Sequence, residues 1–292
     1  MKVFDVHIHY GWWGKLGEKG SLDGWLEELR SACADAGIVK VGLLGWPTLG
    51  NDAVAEAIGK YPDFIYGMAM LDMDQEQPRM VNEYHQRGFT GLKIIRTAKN
   101  YDDEAYYEFY QRAESLGMPI LFHTGIIGGP VDYLMGDEED AFKAVPTGAE
   151  EERLVQNLKD RFLMEPYGKS SARMQPIYLD TVATYFPKLY IIGAHLGWPD
   201  YMTACAVARW RPRLFFDVSG GDVVQRHILE GRYIEREIRP DKLVYGSDCD
   251  LNRLSDNVQE WKRAFDDMGM SQKDQRKIFY DNAARIFGVG GE

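Results

Sequence analysis

Eight short runs rich in β-branched and large apolar residues recur along this chain at roughly 20–40 residue intervals, with helix-like patterns between them. They are Val3–His7, Val39–Leu44, Phe64–Met70, Thr90–Ile94, Pro119–His123, Leu189–Ala194, Leu214–Val218 and Leu243–Gly246. Segments such as LFFDVS and YIIGA are apolar on both faces, as suits strands covered by helices outside and by side chains inside. Strand followed by helix, repeated, builds a parallel sheet. The expected fold is therefore α/β, a (β/α)8 TIM barrel. An open doubly wound sheet is the alternative, and the count of eight favours closure.

Helix punctuation fits the same scheme. Ser21-Leu22-Asp23 opens an amphipathic stretch that Gly37 ends, and Asn51 is expected to cap the next helix before Tyr61-Pro62 closes it. Ser255–Met268 and Ser271–Phe287 read as two terminal helices. One segment breaks the rhythm: about fifty residues separate His123 from Arg173, far more than an ordinary βα connection. The expectation is one domain over 1–292, with an insertion after the fifth strand, about 126–173, serving as a lid or subdomain over the barrel mouth.

Bulk composition excludes some partners. With 45% hydrophobic and 27% charged residues the chain has the makeup of a folded protein. A formal charge of -11 without a basic cluster opposes binding to nucleic acid. No stretch approaches the roughly 18 apolar residues of a membrane span, and MKVFDV runs straight into a strand, so neither membrane insertion nor export is expected. Cys33, Cys205 and Cys249 form no disulfide framework and no CxxC pattern, which fits a reducing cytoplasm.

The histidines carry the chemical signal. Of six in the chain, four stand at or just beyond strand C-termini: His7, His9, His123 and His195. In a parallel barrel those ends meet on one face, where catalytic groups collect. A strand's period of two puts His7 and His9 on one side, about 6.5–7 Å apart, close enough to grip one ion. Asp248 ends the eighth strand, the neighbour of the first once the barrel closes, and His123 approaches from across. Three nitrogens and one oxygen suit a single divalent metal, zinc best, with Mn²⁺, Fe²⁺ or Co²⁺ as alternatives. His85 and His227 lie in polar helical patterns and stand outside this set.

Asp5-Val-His7-Ile-His9, Gly91-Leu-Lys93, Pro119-Ile-Leu-Phe-His123-Thr-Gly125, Gly193-Ala-His195-Leu-Gly197, Phe216-Asp-Val-Ser219-Gly220, Gly246-Ser-Asp248 and Asn282-Ala-Ala-Arg285-Ile-Phe-Gly288 follow one another in this order. That series resembles the amidohydrolase superfamily, and within it the branch of aminocarboxymuconate-semialdehyde decarboxylase and related metal-dependent hydrolases. The resemblance spans nearly the whole chain except the insertion. It implies that His7, His9, His123 and Asp248 hold the metal, that His195 is the catalytic histidine beside the metal-activated water, and that the chain forms a homodimer. Where the family often continues Gly-Ser-Asp with an aromatic residue and Pro, this chain has Cys249-Asp250, which alters the local pocket.

The expected activity is a mononuclear metal-dependent hydrolase of a small cyclic or carboxylated molecule, with Asp248 relaying the proton of a metal-activated water and His195 orienting the substrate carbonyl. The alternative is a non-oxidative decarboxylase, a carboxy-lyase of a small aromatic or unsaturated acid, on the same metal site. A third reading is a catalytically inactive binding barrel. Lys93, Arg96, Arg173 and Trp12, with its neighbour Trp13, are candidate substrate contacts; Lys93 is also where binuclear relatives carry a carboxylated, metal-bridging lysine. Gly168-Lys-Ser170 lacks the earlier glycine of a phosphate loop, and Asp217-Val-Ser219 reads as support for the ligands from behind the site.

Overall fold

The computed structural model describes residues 1–11, 20–45, 50–127, 148, 149, 152 and 170–289. Eight strands, β1 (Val3–His9), β2 (Ile38–Leu44), β3 (Ile65–Met70), β4 (Gly91–Ile94), β5 (Ile120–Phe122), β6 (Ile191–Gly193), β7 (Leu214–Asp217) and β8 (Leu243–Val244), follow one another in sequence order around one sheet. Every neighbouring pair is parallel. Two backbone hydrogen bonds join the first strand to the end of the last: Val6 N–H donates to Tyr245 O at 3.0 Å and Asp248 N–H to His7 O at 2.8 Å. The sheet is a (β/α)8 barrel.

Side chains fill its interior. Phe4, Val6, Leu44, Met68, Leu121 and Phe215 form one buried cluster that also takes in Ala283 and Ile286 of the last helix. Phe4 meets Tyr66 and Phe287 at ring-centroid distances of 5.2 and 5.3 Å, an aromatic floor at the N-terminal end of the strands. A larger cluster lies between the sheet and the helices that wrap it. This two-shell burial is the physical reason the strands read as apolar on both faces.

The first helix, Leu22–Ala36, starts and stops as expected: Ser21 Oγ accepts the Gly24 N–H at 3.1 Å, and Gly37 ends it in the left-handed region at φ 74°. Asn51 departs from its expected capping role. It is the first residue of the helix Asn51–Lys60, and its amide pairs both ways with the Met70 backbone at 2.9 Å, so it fastens that helix to the end of β3. The terminal helices run over Leu254–Asp267 and then from Gln272 through a π turn at Lys277–Asp281 to Ile286.

Two local features set up the site. The β1/β2 register slips between Asp5 and Ile8, a bulge that interrupts simple alternation just where the paired histidines stand. The insertion after β5 lies almost wholly outside the described residues, and so does its expected role as a lid. Its two ends converge: Ile127 N–H donates to Ser171 Oγ at 3.0 Å, and Ile126 N–H to Trp198 O at 3.0 Å. Gly125, at φ 92°, is required there, because a Cβ would fall 1.5 Å from Trp198 O.

Candidate active site

The C-terminal rim gathers four histidines and one carboxylate. His7, His9 and Asp248 each offer one ligand atom within 4.8 Å of the others. Asp248 Oδ1 lies 3.7 Å from His7 Nε2 and 3.7 Å from His9 Nε2, while its Oδ2 lies 3.8 Å from His195 Nε2. The His123 ring sits against that of His195, centroids 4.9 Å apart. His123 is thus brought to the same rim but stands beyond His195, outside the tight His/His/Asp group.

These residues fit a divalent metal. His7 Nδ1 is engaged by Asp217 Oδ2 at 2.8 Å and His9 Nδ1 by the Gly45 carbonyl at 3.2 Å, so both rings direct Nε2 toward Asp248. His123 Nε2 is buried and has no hydrogen-bond partner among the described residues, an arrangement that is costly unless something occupies that lone pair. The donor set, imidazole nitrogen with one carboxylate, is the kind that zinc and its first-row neighbours take.

Electrostatics keep the donors in the required form. Burial pushes His9 down to about 3 and His195 down to about 4, against the raising effect of Asp248 on both. Burial, with His195 and Lys93 nearby, holds His123 well below the ordinary histidine value. Asp248 is raised by burial but lowered more by His7, His9, His195 and Lys93, and ends below the ordinary carboxylate value. Neutral imidazoles and an ionised carboxylate therefore face one another at neutral pH.

Lys93 belongs to this group. Its side chain is buried and its Nζ lies 3.4 Å from His7 Nε2, with burial lowering its pKa to about 8 against the pull of Asp248 and Asp217. Arg96 stands three residues on, in the left-handed region at φ 60°, its backbone N–H against Met174 Sδ at 3.2 Å. Among the described residues only five non-glycines have positive φ, and Arg96, His195 (58°) and Asp248 (45°) are three of them. Concentrated backbone strain of this sort accompanies functional positions.

Other candidates are not brought in. Arg173 is exposed, with Nη1 on Asn100 Oδ1 at 3.3 Å, and Trp12 and Trp13 lie outside the described residues. His85 is exposed on its helix, and His227 Nδ1 faces Tyr201 OH at 3.4 Å, both away from the rim. Cys249 is partly buried against the core and takes no place in the cluster. Sequence reasoning missed two supports. Asp5 Oδ1 accepts the backbone N–H of His7 and of Ser247, both at 3.0 Å, and Tyr101 OH donates to His123 O at 2.7 Å. A carboxylate two residues before the paired histidines on an otherwise apolar strand was the signal for the first.

A parallel barrel with this cluster on its C-terminal rim defines a metal-dependent barrel enzyme. The chain belongs to the amidohydrolase family, whose model matches residues 26–289. Among solved structures it is similar to an uncharacterised TIM-barrel protein from Bordetella bronchiseptica, at 18% identity and TM-score 0.63, covering 99% of each chain. It is also similar to a probable 2-pyrone-4,6-dicarboxylic acid hydrolase from Acinetobacter baumannii, at 15% identity and TM-score 0.61, over 99% of this chain and 100% of that one. A third is 5-carboxyvanillate decarboxylase from Novosphingobium aromaticivorans with bound manganese, at 17% identity and TM-score 0.58, over 89% of this chain and 80% of that one. No curated protein matches the chain. Among the described residues no helix is long and apolar enough to cross a membrane.

Proposed function

We propose that this chain is a mononuclear metal-dependent hydrolase of a small cyclic or carboxylated molecule. The carrying observation is that the Asp248 carboxylate is divided between two tasks. Its Oδ1 faces the Nε2 atoms of His7 and His9, and its Oδ2 faces His195 Nε2. His7, His9, Asp248 and, from the far side, His123 would hold the metal, with zinc the best match to the donors and manganese next. When bound, the metal supplies Lewis acidity to a substrate oxygen and to water.

The protein's own groups manage the protons. Asp248 is ionised and buried to four-fifths, so its Oδ2 is a proton acceptor at the mouth, within reach of a group lying between it and His195. His195, uncharged at neutral pH, orients that group and exchanges a proton with it at Nε2. Lys93 Nζ supplies fixed positive charge beside His7, which favours a substrate that carries or develops negative charge.

That cation also supports a second reading, a non-oxidative decarboxylase. Lys93 and Arg96 on one strand end would orient a carboxylate, and one structurally similar protein is a decarboxylase. The test is a turnover panel on metal-loaded protein. Lactones, amides and cyclic esters are followed by acid release, and hydroxybenzoates by carbon dioxide release. Hydrolysis abolished in His195→Ala and Asp248→Asn supports the first reading, and carbon dioxide release without hydrolysis supports the second. Turnover of neither class by protein shown to hold its metal would overturn both.

A further inference from the structure

His195 carries one proton when neutral, and which nitrogen bears it decides whether the ring accepts or donates at the rim. Its Nδ1 lies 2.9 Å from Ser219 Oγ. Ser219 Oγ in turn hydrogen-bonds Asp217 Oδ1, which also accepts the backbone N–H of His195 at 2.8 Å and of Ser219 at 3.0 Å. With two backbone N–H groups on Oδ1 and the His7 ring on Oδ2, both oxygens of the buried Asp217 carboxylate are engaged as acceptors.

Counting protons along this chain leaves one solution. A serine hydroxyl has a single hydrogen, and the contact with a carboxylate oxygen that already accepts two N–H groups requires it. Ser219 Oγ then meets His195 Nδ1, and His7 Nδ1 at 3.3 Å, only as an acceptor, so the His195 proton sits on Nδ1. The other carboxylate oxygen, Asp217 Oδ2, does the same directly for His7 Nδ1 at 2.8 Å. The other ring nitrogens are left for the rim: His7 Nε2 faces Lys93 Nζ at 3.4 Å, and His195 Nε2 stands 3.8 Å from Asp248 Oδ2.

We infer that Asp217 and Ser219 are positioning residues that lock His195 as its Nδ1–H tautomer, so that Nε2 enters each cycle as a proton acceptor. The same carboxylate fixes His7 as a ligand, so one buried group orients both the metal's imidazole and the acid–base imidazole. The inference rests on the reading of this rim as a catalytic site. It adds that the first proton moved at His195 is taken from water or a substrate hydroxyl and ends on Nε2. The imidazolium so formed returns that proton to the leaving group. The corner is fitted to this role: at Gly220, φ 115°, an added Cβ would lie 3.1 Å from His195 Nδ1 and 2.7 Å from Val224 Cγ2.

The test is ¹⁵N NMR of histidine-labelled, chelator-treated protein at neutral pH, with His195 assigned by the loss of its signals in His195→Gln. Wild-type His195 is expected to show a protonated, pyrrole-type Nδ1 and an unprotonated, pyridine-type Nε2. Ser219→Ala should convert His195 to a mixture or to the Nε2–H form while His7 keeps its pattern, and Ser219→Thr should restore it. In metal-loaded protein Ser219→Ala should lower kcat on the order of 10–100-fold at unchanged metal content, with Ser219→Thr recovering most of it. An Nε2–H tautomer in wild type, or a Ser219→Ala spectrum identical to wild type at His195, would overturn the inference. If Ser219→Ala fails to fold, the wild-type and Ser219→Thr spectra still decide. The expected spectra with no turnover in any assay would refute the enzymatic reading and leave the proton placement standing.

Discussion

Asp5 holds the backbone N–H of Ser247, 242 residues away in sequence, at 3.0 Å, with the same Oδ1 that accepts the N–H of His7. One carboxylate oxygen therefore ties the β1 bulge to the loop that presents Asp248. The same carboxylate thus braces both the barrel seam and the His/His/Asp cluster.

Replacing Asp5 with alanine strands two buried N–H groups and should cost about 2–4 kcal/mol, read as a fall in the urea midpoint. Metal affinity should fall with it. Asp5→Asn keeps the accepting oxygen and should cost less. Burial, opposed by hydrogen bonds from Ser247 and His7, raises the Asp5 carboxyl to about 7, so near neutrality a neutral amide replaces a group that is itself partly protonated. Equal losses for the two variants would contradict this role.

The buried imidazoles make metal-free protein sensitive to acid. His9 near 3, His195 near 4 and His123 well below the ordinary value bind fewer protons in the fold than unfolded, so stability rises with pH from about 4 to about 6.5. Asp5 acts in the opposite sense, since the fold keeps its proton up to about 7 and the unfolded chain releases it near 3.8. Three against one leaves about two protons, a slope of about 3 kcal/mol per pH unit. Urea titrations in chelator at pH 5 and pH 6 measure it, and a flat profile would show the rings solvated.

Metal content and chemistry should separate by residue. His7→Ala/His9→Ala should abolish binding, measured by elemental analysis, because it removes two of the three clustered donors. His195→Ala should retain the metal and lose about 10²–10⁴ in kcat. Metal lost in both would place His195 among the ligands.

Tyr101→Phe removes a hydroxyl donor to the buried His123 carbonyl and should destabilise by about 1–3 kcal/mol. The thermal midpoint falls and metal stoichiometry stays, since the hydroxyl holds backbone and not ring.

Much of this was legible in sequence for one reason. Strands buried on both faces leave runs such as Leu214–Asp217 with almost no polar residue, so a histidine or aspartate at the end of such a run stands out. What was not legible depends on partners distant in sequence. Nothing near Asn51 reveals that its amide reaches Met70 instead of capping its helix. The slip after Asp5 depends on pairing with β2, and Arg173 reads as a pocket cation until its contact with Asn100 is known. Asp217 and Ser219 were readable as supports, but their proton arrangement required the distances to His7 and His195.

The aromatic floor of Phe4, Tyr66 and Phe287, backed by Ala283 and Ile286, seals the barrel at the end away from the histidines. Among the described residues the floor end offers no way through, so a reactant arrives, and whatever it becomes departs, across the histidine rim. Departing fragments must clear that opening before the next molecule can enter, so a sluggish exit throttles turnover however fast the bond-breaking step runs.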